Sequence, residues 1–395
     1  MITRIKAAGY TLSDPVLAAL RAVERHTFVP DAALADAYAS DIVVTKRGSR
    51  NEVLSCLSDP GIVALQLGQL DVRHGHRVLE IGAGTGFNAA LLAYLAGPHG
   101  QVTTIDVDAD IVAGAQQHVA DIGNVVVVLG DGALGHPAGA PVDRIIATVG
   151  AYGIPESWLS QLAPGGRLVV PLRIAGSVSR SIAFERDGDG RWHSVDHQMC
   201  GFVPLRDGAA DDPRHMITLT DDKAITLQLN QEHMDNLPRL AGVFDQPRRE
   251  VWTGVTFGPM ESLEWLYLWL TCVQDRGLCR MAAKESAVAT GLVDPMFRWG
   301  AMAVPGDDDL AYLTWRAADG ARDRRERAEI GVIGHGPTGT ALVDRVAEAI
   351  QTWNDAFRHR DVRFEIPLDG RDTSEPSDGR FFLDRPHNPI TVIWQ

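Results

Sequence analysis

Cysteine is scarce and unpaired in this 395-residue chain, which holds Cys56, Cys200, Cys272 and Cys279 and no C-x-x-C pair. That rules against a disulfide framework and against a thiolate zinc knuckle, and free reduced thiols are the expectation. No H-E-x-x-H or Cys–His ligand spacing occurs, and His74-Gly-His76 falls in a polar turn, so no metal site is expected. Basic residues are outnumbered, 37 Lys and Arg against 51 Asp and Glu, giving a formal charge of −14. Non-specific nucleic-acid binding needs a basic footprint that displaces counterions, so no nucleic-acid partner is expected. No window approaches the roughly 18 apolar residues of a membrane span, and the first residues lack the apolar core of a secretory signal. A cytoplasmic protein without a membrane partner is the expectation. A G-x-S-x-G nucleophile elbow is missing too, which weakens a hydrolase reading.

What is present is an ordinary globular composition, 45% apolar and 22% charged, without repeats or low-complexity tracts. The length suits two domains. Segments Arg77–Ile81, Val102–Asp106, Val125–Leu129, Arg144–Ala147 and Arg167–Pro171 read as strands separated by helical stretches, the grammar of a parallel sheet with helices on both faces. The unbroken run Val125–Leu129 predicts a strand buried on both sides. Ser181–Phe184 and Trp192–Val195 flank Asp187-Gly-Asp-Gly190, so the sheet is expected to end in an antiparallel hairpin. Turn formers and charges at 207–213 mark a boundary, predicting a catalytic domain over 1–206 and a C-terminal α+β domain over 207–395. In the latter, Trp265, Leu266, Leu268 and Trp269, and Leu342, Val346, Ile350, Trp353 and Phe357, form helical stripes that predict core.

Chemistry is concentrated in Arg77-Val-Leu-Glu-Ile-Gly-Ala-Gly-Thr-Gly-Phe87. A strand running into Gly82, Gly84 and Gly86 must turn sharply into a helix while its backbone meets a ligand, and a Cβ obstructs both. The G-x-G-x-G spacing, preceded by Glu80 and interleaved with Ala83 and Thr85, favours S-adenosyl-L-methionine over the dinucleotide that G-x-G-x-x-G holds. Asp106, closing the next strand beside Val107, has the spacing to hydrogen-bond two ribose hydroxyls, and Asp108 reads as a helix-start charge. Asp131 and Gly132, after the third strand, stand where an adenine amino group is received; a turn or cap role is the alternative for each aspartate. From Asp41 to Asp59 the chain shows little periodicity and carries Lys46, Arg47 and Arg50, a candidate substrate loop.

Read in order, Arg25-His-Thr-Phe-Val-Pro30, Leu57-Ser-Asp-Pro60, Val78–Gly86, Gly130-Asp-Gly132, Asp143–Ile146, Pro164–Pro171 and Phe202-Val-Pro-Leu205 resemble the protein-L-isoaspartate O-methyltransferases. The resemblance covers about the first half. It implies a Rossmann-like S-adenosylmethionine-dependent methyltransferase fold, a mostly parallel, doubly wound sheet with an antiparallel end. It also implies S-adenosyl-L-homocysteine as product and Ser58 as the serine beside the transferred methyl, because Ser58-Asp59-Pro60 stands where the family has Ser-Gln-Pro. An N-cap for the following helix is the other role open to Ser58. Ser55, Leu57, Asp59, Lys46, Arg47, Arg50 and Arg206 are the candidate substrate contacts, with His335 of Gly334-His-Gly-Pro337 as a further one, or else a turn residue.

Departures from the family pattern are the longer basic connector, Asp59 in place of glutamine, and the long continuation after Leu205. Extended enzymes of this kind accompany biosynthesis of ribosomally made, modified peptides: graspetides, lanthipeptides and lasso peptides. The resemblance therefore implies methylation of an aspartate carboxylate in such a peptide, a graspetide-type precursor first among them, before or after crosslinking by an ATP-grasp ligase, leading to aspartimide (succinimide) and, on hydrolysis, isoaspartate. Repair of isoaspartate in damaged proteins is the alternative; a non-catalytic scaffold and a NAD oxidoreductase are more remote.

Overall fold

A computed structural model describes residues 1–49, 51–206, 214–337, 339–367 and 378–395. The amino-terminal part forms short helices α1 (Ile2–Ala7), α2 (Asp14–Ala22) and α3 (Leu34–Ala37), with a single 3-10 turn at Arg25–Phe28. Next comes a β-hairpin, β1 (Val43–Arg47) and β2 (Val53–Leu57), leading into α4 (Pro60–Leu70). The hairpin corrects the aperiodic loop expected over 41–59. Two short strands pairing mainly with each other carry too little alternation to register in the sequence.

Strands and helices then alternate: β3 (Arg77–Ile81), α5 (Phe87–Ala96), β4 (Gln101–Asp106), α6 (Ala109–His118), β5 (Val125–Leu129), β6 (Val142–Ala147), α7 (Glu156–Ser160) and the long β7 (Leu162–Ala175). β7, β6, β3, β4 and β5 lie side by side and parallel. Chain reversal through β8 (Val178–Arg186) and β9 (Trp192–Met199) adds the expected antiparallel end. Helices α2, α4 and α5 cover one face through Leu20, Leu67, Leu91 and their neighbours. The apolar β5 run departs from expectation. β5 is an edge strand, and Val126 and Leu129 are 46% and 55% exposed, because α6 covers only part of it and among the described residues no strand lies beyond.

The rest of the chain builds a second sheet. Its strands are β10 (His215–Thr218), β11 (Ile225–Leu229), β12 (Arg248–Phe257), β13 (Cys279–Ala283), β14 (Gly300–Pro305), β15 (Leu310–Ala317) and β16 (Ala328–His335), all antiparallel, in the order β10-β11-β13-β14-β15-β16-β12. Helix α8 (Glu264–Val273) packs on β7 and β8, the short α9 (Glu285–Ala289) follows β13, and α10 (Gly339–Thr352) packs on β12, β15 and β16. The predicted stripes are core: Leu266, Leu268, Leu342, Val346, Ile350 and Trp353 are all buried. A π-turn at Trp353–Phe357 extends α10 and keeps Trp353 and Phe357 facing inward.

The carboxy-terminal strands cross the boundary expected at 206/207. β17 (Val362–Ile366), β18 (Arg380–Leu383) and β19 (Ile390–Trp394) return to the first sheet, which reads β18-β19-β17-β9-β8-β7-β6-β3-β4-β5. One core runs continuously from Leu79 and Ile81 through α8 and α10 to β15 and β16. Buried cations pin the halves together: Arg180 on β8 pairs with Glu264 at 2.9 Å, and Arg173 on β7 with Glu232 at 2.8 Å. The outer edge of β9 needs cover against uncontrolled strand pairing, and the carboxy-terminal strands supply part of it. Among the described residues no helix is long and apolar enough to cross a membrane.

His335, a candidate substrate contact, instead ends β16 in the core. It is 2% exposed, lies between Phe244 and Tyr312, and neither ring nitrogen has a hydrogen-bond partner among the described residues. Burial, with Arg248 nearby, drives its pKa down to about 4. A depressed imidazole pKa means that the unfolded chain takes up the proton first, so stability falls as the pH drops from about 6.5 towards 4. His335→Phe keeps the ring packing and removes the titration. Urea denaturation should find it more stable than the parent by about 2 kcal/mol at pH 5, with a smaller advantage at pH 8.

Candidate functional site

The carboxyl ends of β3 and β4 build the site. Past Ile81 the backbone adopts positive φ at Gly82 (+98°), Gly84 (+49°) and Gly86 (+84°), which L side chains rarely adopt. The three glycines serve different ends. A Cβ on Gly82 would lie 2.7 Å from Thr148 Oγ1, and one on Gly86 3.1 Å from Val119 Cγ1, so these two admit the close approach of the β6 loop and of the end of α6. At Gly84 a Cβ would meet nothing nearer than the Cys56 carbonyl at 3.9 Å and Ser55 Oγ at 4.0 Å, so this glycine borders open space beside β2.

Hydrogen bonds fix the loop. Gly82 N and Ala83 N donate to Ile105 O, and Gly84 N donates to Asp106 Oδ2 at 3.1 Å. Thr148, which the sequence reading missed, donates its hydroxyl to Ile81 O and Gly82 O. Thr85 O is held by His118 Nδ1 at 2.8 Å. Asp106 Oδ1 accepts from Asp108 N. Burial raises the Asp106 carboxyl pKa, although the Gly84 and Asp108 amides favour its charged form. Val107, next in the chain, is half-buried on the same rim. Asp131 Oδ1 accepts from Ala133 N at 2.8 Å and so caps the 3-10 turn Gly132–Leu134, the turn role left open above. Gly132 is tight for a separate reason, a Cβ there coming 2.5 Å from Ile81 Cγ2.

Glu80, expected among the ligand contacts, is wholly buried. Asn88 donates to its Oε1 at 2.8 Å, and burial lifts its pKa from 4.5 to about 7 even though the Thr104 and Asn88 side chains favour its charged form. It presents nothing to the crevice and instead ties β3 to α5.

Ser58 follows β2, in the turn before α4. Its expected cap role belongs to Asp59, whose Oδ1 accepts from Gly61 N at 2.7 Å and Ile62 N at 3.2 Å. That also moves Asp59 from substrate contact to helix cap, while Leu57 is buried in the core. The residue that sets Ser58 is Arg25. Fully buried, its guanidinium donates to Ala37 O and to Ser58 O, both at 2.6 Å, and lies 5.1 Å from the centre of the Phe87 ring. Burial lowers its pKa to about 10, which leaves it charged at neutral pH. Its place in the Arg25–Pro30 motif was legible from sequence; its reach to Ser58 was not. Ser55, buried, accepts from Thr45 Oγ1 at 3.1 Å.

The basic candidates are largely occupied. Lys46 pairs with Asp110 at 2.7 Å and Asp108 at 3.0 Å, and Arg206 pairs with Asp108 at 2.6 Å. Burial works to raise the Asp108 carboxyl pKa, yet Arg206 and Lys46 hold it below the usual range. These two cations therefore fasten the hairpin and the 200–206 segment to the start of α6, leaving neither free as a substrate anchor. Arg47 donates to Asn51 O, and Arg50 lies outside the described residues.

The sequence pattern of the family described as Protein-L-isoaspartate(D-aspartate) O-methyltransferase (PCMT) matches residues 1–210. Among curated proteins, the chain is 38% identical over 208 residues to the protein-L-isoaspartate O-methyltransferase of Methanopyrus kandleri, spanning 52% of this chain and 89% of that one. It is 40% identical over 205 residues to the namesake in Methanoregula boonei, spanning 51% and 89%. A solved protein-L-isoaspartate O-methyltransferase superposes with a TM-score of 0.49 at 21% identity, covering 92% of this chain and 95% of that one. The strand order and the family match define the fold.

The Glu80 carboxyl has a testable consequence. Because its folded-state pKa is raised, the folded protein holds the proton more tightly, so stability declines as the pH rises from about 4.5 through 7. Glu80→Gln keeps an acceptor for Asn88 and removes that loss. Urea denaturation should show it more stable by up to about 3 kcal/mol at pH 8, with the difference shrinking towards pH 5.

Proposed function

Since the chain belongs to the protein-L-isoaspartate(D-aspartate) O-methyltransferase family, we propose that it is an S-adenosylmethionine-dependent carboxyl O-methyltransferase acting on isoaspartyl residues of polypeptides. The observation that carries this reading is the open face of Gly84, set between the Asp106 carboxylate and the Ser55–Ser58 segment. The cradle fits the cofactor: backbone approaches the ligand where a side chain is missing, and Asp106 keeps acceptor capacity for ribose hydroxyls beyond its two amide bonds. Asp131, with one oxygen on Ala133 N, has the other for an amino group. When bound, S-adenosylmethionine supplies a methyl group on a sulfonium centre and leaves as S-adenosylhomocysteine.

What the chain's own residues must do is modest in chemistry and demanding in geometry. A carboxyl with a pKa near 3.9 is about one part in a thousand protonated at pH 7, so no general base is needed. The enzyme has to align one carboxylate oxygen and exclude water, and such positioning contributes on the order of 7–11 kcal/mol. The Ser58 hydroxyl orients that oxygen without neutralising it, and Arg25 fixes the serine from behind through its carbonyl. The methyl ester carries a far better leaving group than the carboxylate, so the next backbone nitrogen can attack its carbonyl, lose its proton and expel methanol to close a succinimide without further help.

The relatives reverse the order expected from sequence, in which an aspartate of a ribosomally made peptide took precedence over repair. In that second reading, with prior crosslinking by an ATP-grasp ligase, the substrate would be selected by the residues after 210, which lie outside the family match and contribute a further sheet. Mass spectrometry separates the two. Methyl incorporation into generic isoaspartyl peptides supports repair; incorporation only into a crosslinked precursor supports the other.

Ser58→Ala should lower kcat on an isoaspartyl peptide by about 10²-fold with cofactor affinity within twofold, whereas Asp106→Ala should weaken cofactor binding more than tenfold. Initial-rate kinetics and calorimetry read the two effects, and equal losses in both variants would remove the assigned roles.

A further inference from the structure

A cavity of about 620 Å³ opens between β9 and β17, away from the glycine loop. Its origin is a divergence of strands. β9 pairs along its length with β8, but meets β17 only where Trp192 and His193 face Ile366 and Glu365. Beyond that, from Ser194 to Met199, β9 makes no backbone ladder on its outer side among the described residues, although β17 still lies next to it at Ser194. Paired strands lie about 4.8 Å apart. Here side chains span the wider gap instead: Phe364 N donates to Ser194 Oγ at 2.9 Å, and His197 Nε2 donates to Val362 O at 2.8 Å.

The wall is built in advance. His197 Nδ1 accepts from Arg180 Nε at 3.2 Å, and Arg180 is itself paired with Glu264. The His197 ring packs edge-on to Trp265 and Phe364. Burial and the adjacent Arg180 lower the His197 pKa, in keeping with a neutral ring that donates through Nε2.

The gap faces the catalytic rim. β9 is antiparallel to β8 and therefore runs with β7, β6 and β3, so the splayed end at Met199 points the same way as Ile81. From there the chain itself crosses the rim, Leu205 N donating to Gly150 O and Arg206 pairing with Asp108. Three strands separate β9 from β3, a distance of about 19 Å at ~4.8 Å per strand, which an extended chain covers in about six residues.

We propose that the β9/β17 gap is a docking groove for an extended segment of the polypeptide substrate, laid along the unladdered edge of β9 from His197 to Met199 while the residue to be methylated sits beside Ser58. The entering segment's carbonyl takes the His197 Nε2–H from Val362. Strand addition recognises backbone and tolerates any side chain. That suits a substrate defined by an altered linkage and not by its sequence. The inference rests on the carboxyl-methylation reading above.

The test compares a 21-residue peptide carrying a central isoaspartate with a five-residue one, which is too short to reach the groove. With the full chain, KM for the long peptide should be at least tenfold lower at similar kcat, and His197→Phe, which keeps the ring packing, should raise KM for the long peptide alone by about tenfold. A photo-crosslinker seven residues from the isoaspartate should label residues 193–199 or 358–363. Equal KM values, an equal effect of His197→Phe on both peptides, or labelling elsewhere would overturn the groove while leaving methylation intact. Failure to methylate either peptide would instead overturn the functional reading on which it rests.

Discussion

The structure depends on one backbone constraint, the left-handed conformations after β3. Gly82, Gly84 and Gly86 all hold positive φ within five residues, and the surroundings exploit the missing side chains in different ways. Thr148 closes on Gly82, Val119 on Gly86, and only Gly84 is left facing free space. The peptide groups so exposed are not loose: two amides go to Ile105 O and one to the Asp106 carboxylate. The carboxylate expected to bind a ribose is therefore the same one that shapes the loop. A half-buried acid of raised pKa is held ionisable there by amide donors and by the nearby Arg206 charge.

Around that loop the protein spends its charged residues on position. Arg25 is a buried cation with no carboxylate partner among its hydrogen bonds; it uses two carbonyls and an aromatic face, and so ties the turn at Arg25–Phe28, α3, Ser58 and the start of α5 to one point. Asp59 caps α4 immediately after Ser58, which fixes the serine from the other side. Lys46 and Arg206 converge on Asp108 from the hairpin and from the segment after β9. Each partly exposed pair is worth little alone, about 0–1 kcal/mol. Their shared acceptor nonetheless brings three distant parts of the chain to the mouth of the crevice.

The added second half is not an appendage. It packs α8 onto β7 and β8, buries Arg173 and Arg180 against its own glutamates, and sends three strands back to widen the catalytic sheet. The widening is imperfect at the β9/β17 junction, and that imperfection leaves an opening of about 620 Å³ near the end of β9 that points the same way as Ile81.

The sequence by itself determined the local features: the strand-helix alternation, the glycine turn, Asp106 at a strand end, the apolar stripes of α8 and α10, and the family motifs that point to Ser58. These are legible because hydrophobic period and the needs of a turn without Cβ are written in adjacent residues. Tertiary structure decided what depends on who stands opposite. Val125–Leu129 is as apolar as any inner strand yet lies at an edge. Glu80 is swallowed by the core, Lys46 and Arg206 are claimed by Asp108, and His335 packs between aromatic rings. The carboxy-terminal strands crossed a boundary that composition had drawn at 206/207. Such outcomes follow from long-range pairing and burial, which a residue's own identity and its neighbours in sequence do not encode.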